Sequence, residues 1–259
     1  MARPPKLAFV EKNSGLLIEE MLQGGIDPDG ADLEQILELC MHYRRVGICR
    51  WLTRGDADAL FTELANSAWV FTAWLARHPA DEQCTARLDP FLDAVAAGAD
   101  QAASAIRRQA RGTWNEDGEY EEDFCYARIL QHLACSEVAE AAPLLERWSA
   151  VSGSGEPRHQ VCAAILARDP EAFVEGLTLL LDQVAEEIGQ RRGKGDPDAA
   201  VTTDRLSLEG LALLKLARRH GITSTPTHLL IHAALLVPAA RALPGADDWK
   251  TIESHGDLA

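Results

Sequence analysis

LACSEVAEAAPLL, residues 133–145, and LARDPEAFVEGLT, residues 166–178, lie thirty-three positions apart and follow one local pattern. Each copy finishes an apolar stretch, passes a short polar residue suited to capping, Ser136 or Asp169, and opens an amphipathic run. In the second copy Pro170 falls at the first helical position, where its missing N–H costs nothing. A shorter echo, LTRGDADAL, begins at Leu52. The unit is helix, turn, helix. A repeat of this length predicts stacked antiparallel hairpins, tetratricopeptide-like or an irregular α-solenoid, although the Trp, Gly and Tyr positions that mark the tetratricopeptide repeat are absent.

Outward from that pair, apolar residues keep recurring at intervals of three and four, and no alternating strand of five or more residues occurs. The fold class is therefore all-α, with about ten to twelve helices. SGLLIEEMLQGG (14–25) reads as a short first helix, with Asn13 or Ser14 as its cap and Gly24 and Gly25 as its stop. ADLEQILELCMHYRRVG (31–47) follows, with Leu33, Ile36, Leu37, Cys40, Met41 and Arg44 along one side. Residues 52–79 carry a helix capped by Asp56 and ended by His78 and Pro79. Its Leu60, Leu64, Ser67, Phe71, Trp74 and Leu75 form a core face before they form any ligand platform. Shorter helices are expected in DPFLDAVAAG (89–98) and DQAASAIRRQAR (100–111), then YEEDFCYARILQHLA (120–134) and a long one from Pro170 to about Arg192. GKGDPDAAVTT (193–203) reads as a flexible loop. Two last helices are predicted, DRLSLEGLALLKLARRHG (204–221) and PTHLLIHAALLVPAARAL (226–243), before a frayed tail, ESHGDLA. The expectation is a single all-helical domain over 1–259, with an N-terminal half, 1–112, a helical-repeat half, 113–259, and no clean boundary between them.

The composition narrows the function. Apolar residues make up 47% of the chain, enough for an extended core. The longest weakly polar run, residues 229–243, is short and broken by Pro238, so no membrane partner is expected. The start, MARPPKLAFVEKN, lacks the apolar region of a secretory signal, which points to the cytoplasm. Six cysteines, none in a CxxC pair, read as buried reduced thiols. A formal charge of −15 argues against a nucleic-acid binder and favours a basic partner.

That charge is densest in WNEDGEYEEDF (114–124), where Glu116, Asp117, Glu119, Glu121, Glu122 and Asp123 put six carboxylates into eight residues. One or two suffice to favour a helix N-terminus, and an ordinary solvated face would account for the rest. No second Asp-rich motif or EF-hand spacing supports a metal at the cluster. His228 and His232 stand four apart on a predicted helix, but without the Glu of HExxH or a third ligand they read as two histidines on a mixed helix face. Ser152 and Ser154 lack a nucleophile elbow, GKGD lacks the rest of a phosphate loop, and no GxGxxG occurs. No catalytic residue, cofactor or metal is assigned.

Three stretches, EYEEDFCYARILQHLACSEVAEAAPLLERW (119–148), CAAILARDPEAFVEGLTLLLDQ (162–183) and DRLSLEGLALLKLARRHGI (204–222), resemble in order the segments of the immunity protein forty-nine family of bacterial polymorphic toxin systems. The resemblance spans about residues 119–236 and touches other helical immunity proteins of nuclease toxins. It implies a non-catalytic antitoxin that binds the C-terminal domain of a cognate toxin and blocks its active site. EEDF and LSLEGLALL match what that family shares, and Glu209, within an apolar helix, is open to being the buried partner of an arginine. An acidic inhibitor suits a toxin with a basic substrate cleft, which makes the six-carboxylate cluster a candidate inhibitory surface. Two other classes remain: a helical-repeat scaffold that holds a peptide in a groove, and a small-molecule enzyme with a buried polar cavity.

Overall fold

A computed structural model describes residues 5–26, 30–80, 83–191 and 193–251. These residues form ten α-helices and no strand: α1 (Pro5–Gln23), α2 (Leu33–Arg54), α3 (Ala57–Leu75), α4 (Asp89–Ala97), α5 (Asp100–Gln109), α6 (Glu121–Ala134), α7 (Val138–Ser152), α8 (Pro157–Ala167), α9 (Pro170–Arg191) and α10 (Leu208–Arg219). Short 3₁₀ turns lie at Ala199–Val201, Thr203–Arg205, Ala233–Leu236 and Asp248–Lys250. The predicted frayed tail lies outside the described residues.

The hub is α3. Fourteen of its nineteen residues are buried, including all six of the predicted core positions, so it must be covered on every side. It packs on α2, α4, α5 and the turn at Asp248–Lys250. Asp56 caps it as expected, accepting from the Ala59 amide at 2.9 Å, and Gly55 ends α2 with φ +69°. Gly47 does not close α2, which runs on to Arg54. A Cβ at Gly47 would meet the Leu60 backbone at 3.2 Å, so the glycine lets α2 and α3 approach closely.

The repeat survives as two hairpins, α6–α7 and α8–α9. Asp169 caps α9 through the amides of Glu171 and Ala172, at 3.0 and 3.1 Å, with Pro170 in the first position. Ser136 is a correction. It sits in the left-handed region, φ +61°, one residue before the N-terminal junction of α7, and Arg168 takes that conformation in the second copy, φ +55°. The turn has slipped by one residue between the copies, so the serine bends the chain instead of capping it.

α1 is longer than predicted and begins at Pro5. Ser14 is a buried interior residue, because the apolar pattern continues upstream through Leu7 and Val10 onto Cys49 of α2. The segment 193–203 is also no bare loop. Its two 3₁₀ turns begin within it, Thr202 is buried, and Asp196 is paired with Arg45 of α2.

The largest correction concerns residues 226–243, predicted as a helix. They have no regular structure apart from one 3₁₀ turn and run as a strap over α10, α2 and α3. Its backbone oxygens accept from side chains of the helices below: Leu236 from Arg218 at 3.1 Å, and further on Pro244 from the Trp69 indole at 2.9 Å and Trp249 from the Tyr43 hydroxyl. Leu235, Leu236 and Trp249 are buried beneath it. α10 in turn lies on α4, more than a hundred residues earlier, and Lys215 donates to the Ala96 carbonyl. One continuous apolar cluster extends from Ile18 to Trp249.

Candidate functional site

Between α2 and the start of α10 lies a cleft of about 840 Å³, closed by residues 86–90, the start of α6, Arg158 of α8 and the 3₁₀ turns after α9. Two ion-pair networks line it. Arg44 of α2 grips Asp93 of α4 with Nε and Nη2 at 2.9 and 2.8 Å, and Asp93 also accepts from the Ser67 hydroxyl at 2.6 Å. Asp93 is wholly buried, and burial raises its pKa against the pull of Arg44. Across the cleft, Arg158 holds Glu209 at 2.7 and 3.2 Å, and the Tyr126 hydroxyl donates to the same carboxylate at 2.6 Å. Glu209 is the partner of an arginine, one of the readings its apolar helix suggested.

These residues were only half visible beforehand. Arg44 already stood out on the apolar side of α2, and Asp93 lies within the apolar run FLDAVAAG. A lone charge of each sign on two core faces is the signal of a buried pair. Nothing in the spacing matched Arg158 to Glu209, fifty-one residues apart.

The structure divides the six-carboxylate cluster. Glu119 is a fastening: its carboxylate accepts from the Ala86 amide at 2.8 Å, and its carbonyl from the Trp114 indole at 3.0 Å. Burial raises its pKa while the backbone donors oppose that rise. Glu121 pairs with Arg147, which lies 5.6 Å over each of the Trp114 and Phe124 rings. Asp123 lines the cleft. Glu122 is half-buried beside it, while Glu116 and Asp117 are exposed on the turn before α6. Tyr120 lies between these groups in sequence and is 75% exposed.

The other candidate residues do not assemble. His228 Nδ1 accepts from the Leu230 amide in a turn, and His232 stands edge-on to Trp51, so the two histidines share no helix face. The amides of Lys194 and Gly195 cap the end of α9 on the Arg191 carbonyl, which accounts for GKGD as a helix terminus. The six cysteines are thiols, four of them buried. Among the described residues no group of three or more His, Cys, Asp or Glu is placed to hold a metal ion, and no helix is long and apolar enough to cross a membrane.

Searches of curated proteins and of solved structures gave no match. A family model described as immunity protein 49 matches residues 55–229, about two thirds of the chain. The match begins with the turn into α3, so it takes in α3, α4 and α5, well upstream of the stretches that carried the resemblance, and it includes both ion-pair networks except Arg44. The all-helical fold, its paired hairpins and this match agree: the chain belongs to the immunity protein 49 family.

Proposed function

We propose that the protein neutralises a cognate toxin by binding its C-terminal domain with an acidic face and covering the active site, without catalysis of its own. The face is centred on Tyr120, with Glu116, Asp117, Glu122 and Asp123 around it. Glu119 and Glu121 support it from beneath. The observation that carries this choice is Tyr120: a tyrosine 75% exposed among carboxylates has the makings of a binding hot spot. An aromatic ring attracts arginine and lysine, and the carboxylates add charge-assisted hydrogen bonds.

A net charge of −15 favours a basic target, such as the substrate cleft of a toxin that acts on nucleic acid or nucleotides in the cytoplasm. Opposite charge speeds encounter, which matters for an antitoxin that must arrive before damage is done.

The test is protection. The C-terminal domain of a toxin encoded beside this gene is induced in a host cell with and without this chain. Growth restored by the wild-type protein, and reduced by Tyr120→Ala with Glu116→Lys and Asp117→Lys, is the expected result. Full protection by the triple variant would remove the acidic face from the interface. No protection by the wild type, together with capture of short peptides, would favour a scaffold.

A further inference from the structure

The outer side of α1 differs from the rest of this acidic chain. The helix packs on α2, with Leu7 and Val10 against Cys49, Glu11 turned inward to Arg54, and Ile18 in the main core. Phe9 and Leu16 lie two turns apart on the opposite side and are 65% and 52% exposed. Around them stand Lys6, Lys12 and Glu20, all exposed, with Asn13 and Glu19 half-buried. Two lysines and two glutamates cancel, in a chain that carries −15. Contact between two acidic copies through this face therefore adds no net repulsion of its own.

The order of those charges opposes their own helix. Lys6 lies in the first turn and Glu20 in the last, where no acidic residue begins the helix and no basic one ends it. That is the reverse of what the helix macrodipole favours. None of the four has an opposite charge three or four residues away, and among the described residues none forms an ion pair. An antiparallel neighbour of the same sequence corrects this arrangement. It lays the negative end of the second helix beside Lys6 and the positive end beside Glu20. With a two-fold axis at Asn13, Lys6 and Glu20 lie seven residues to either side, so each falls level with the other in the second copy. Phe9 then meets Leu16 of the second copy, and Asn13 meets its own copy across the axis. Lys12 and Glu19 fall on the other edge of the seam, where the long stem of Lys12 lets it splay from its own copy toward Glu19.

We propose that α1 pairs with α1 of a second copy, antiparallel about a two-fold axis, through Phe9 and Leu16 flanked by Lys6 and Glu20. The contact is isologous, so it closes at two copies. One helix pair is smaller than the interface of a permanent dimer, and the association is therefore weak and dependent on concentration. α1 lies outside the residues that the family model matches, and the pairing is independent of the immunity reading.

Sedimentation velocity from micromolar to submillimolar protein tests the pairing, with the fold of each variant checked by circular dichroism. The wild type should pass from monomer to dimer, and Phe9→Asp should weaken the dimer by about tenfold. Lys6→Glu/Lys12→Glu and Glu19→Lys/Glu20→Lys each give the face one sign of charge, so each should stay monomeric alone, and an equimolar mixture of the two should dimerise. The second of them is less acidic overall than the wild type, so its failure to dimerise would be local in origin. Orientation is read by oxidation: Lys6→Cys mixed with Glu20→Cys should cross-link, whereas Lys6→Cys cross-linked to itself would overturn the antiparallel order. A wild type that stays monomeric throughout, a Phe9→Asp dimer as strong as the wild type, or a mixture that associates no better than its components would overturn the pairing. Loss of toxin protection by Phe9→Asp in a chain that is always monomeric would overturn it too, and would give the face to the toxin.

Discussion

Single residues decide how the acidic stretch is understood. Charge density marked six carboxylates alike, yet Glu119 and Glu121 serve the fold. Glu119→Lys should lower stability by about 1–3 kcal/mol, because it leaves the Ala86 amide without its acceptor. Glu116→Lys and Asp117→Lys, at exposed positions, should change it by less than about 0.5 kcal/mol. Urea unfolding of the three variants checks both. Lys215 offers a pH test. Burial, with Arg219 and Arg218 nearby, lowers its pKa from 10.5 to about 8. Between those values the unfolded chain holds a proton that the folded protein has released, so this lysine adds stability as pH rises through the window. Buried thiols such as Cys40, whose pKa burial raises to about 12, act in the opposite sense, so the comparison must be made against Lys215→Met. The wild type should gain on that variant between about pH 8 and 10.5 in urea midpoints.

Among the elements, those with local signals were legible. Asp56 and Asp169 were readable as caps because a short acidic side chain before an apolar run reaches the first free amides. Ser136 offered the same signal and does something else, since a one-residue slip in the turn places it at positive φ. The two predictions therefore differ in sign. Asp169→Ala should cost about 1 kcal/mol. Ser136→Gly should be neutral or stabilise by up to about 1 kcal/mol, since glycine enters the left-handed region without a Cβ penalty. Thermal melts of the pair decide it. Residues 226–243 were misread for a physical reason. Their apolar spacing suits a helix, but Pro238 interrupts the run and Pro244 follows it, and side chains of the helices below take up the carbonyls of this stretch, Arg218 at Leu236 and Trp69 at Pro244. Those partners are invisible to any local pattern.

The whole molecule is closed by contacts between its ends. α10 lies on α4, and the strap brings Trp249 against the Tyr43 and Trp69 region. We expect the chain to behave as a single cooperative unit, with one unfolding transition by circular dichroism and by tryptophan fluorescence. Trp249→Ala, which empties a buried indole site, should lower stability by about 3–5 kcal/mol. Two separate transitions, or a mild effect of that truncation, would divide the chain into independent halves. Helical class and family were readable because they rest on repeated local patterns. The cleft was not, because it is assembled from α2, α4, α6, α8 and α10, which only the closed fold brings together.

The central claim is that an acidic face holds one basic toxin domain. Its most direct test is a pull-down of the tagged protein from its native cells, washed at low and at high salt, with bound proteins identified by mass. The account predicts a single basic toxin domain retained in stoichiometric amount at low salt and weakened as salt screens the contact. A toxin domain held equally at both salts would contradict the acidic face, and many partners or none would contradict immunity as its function.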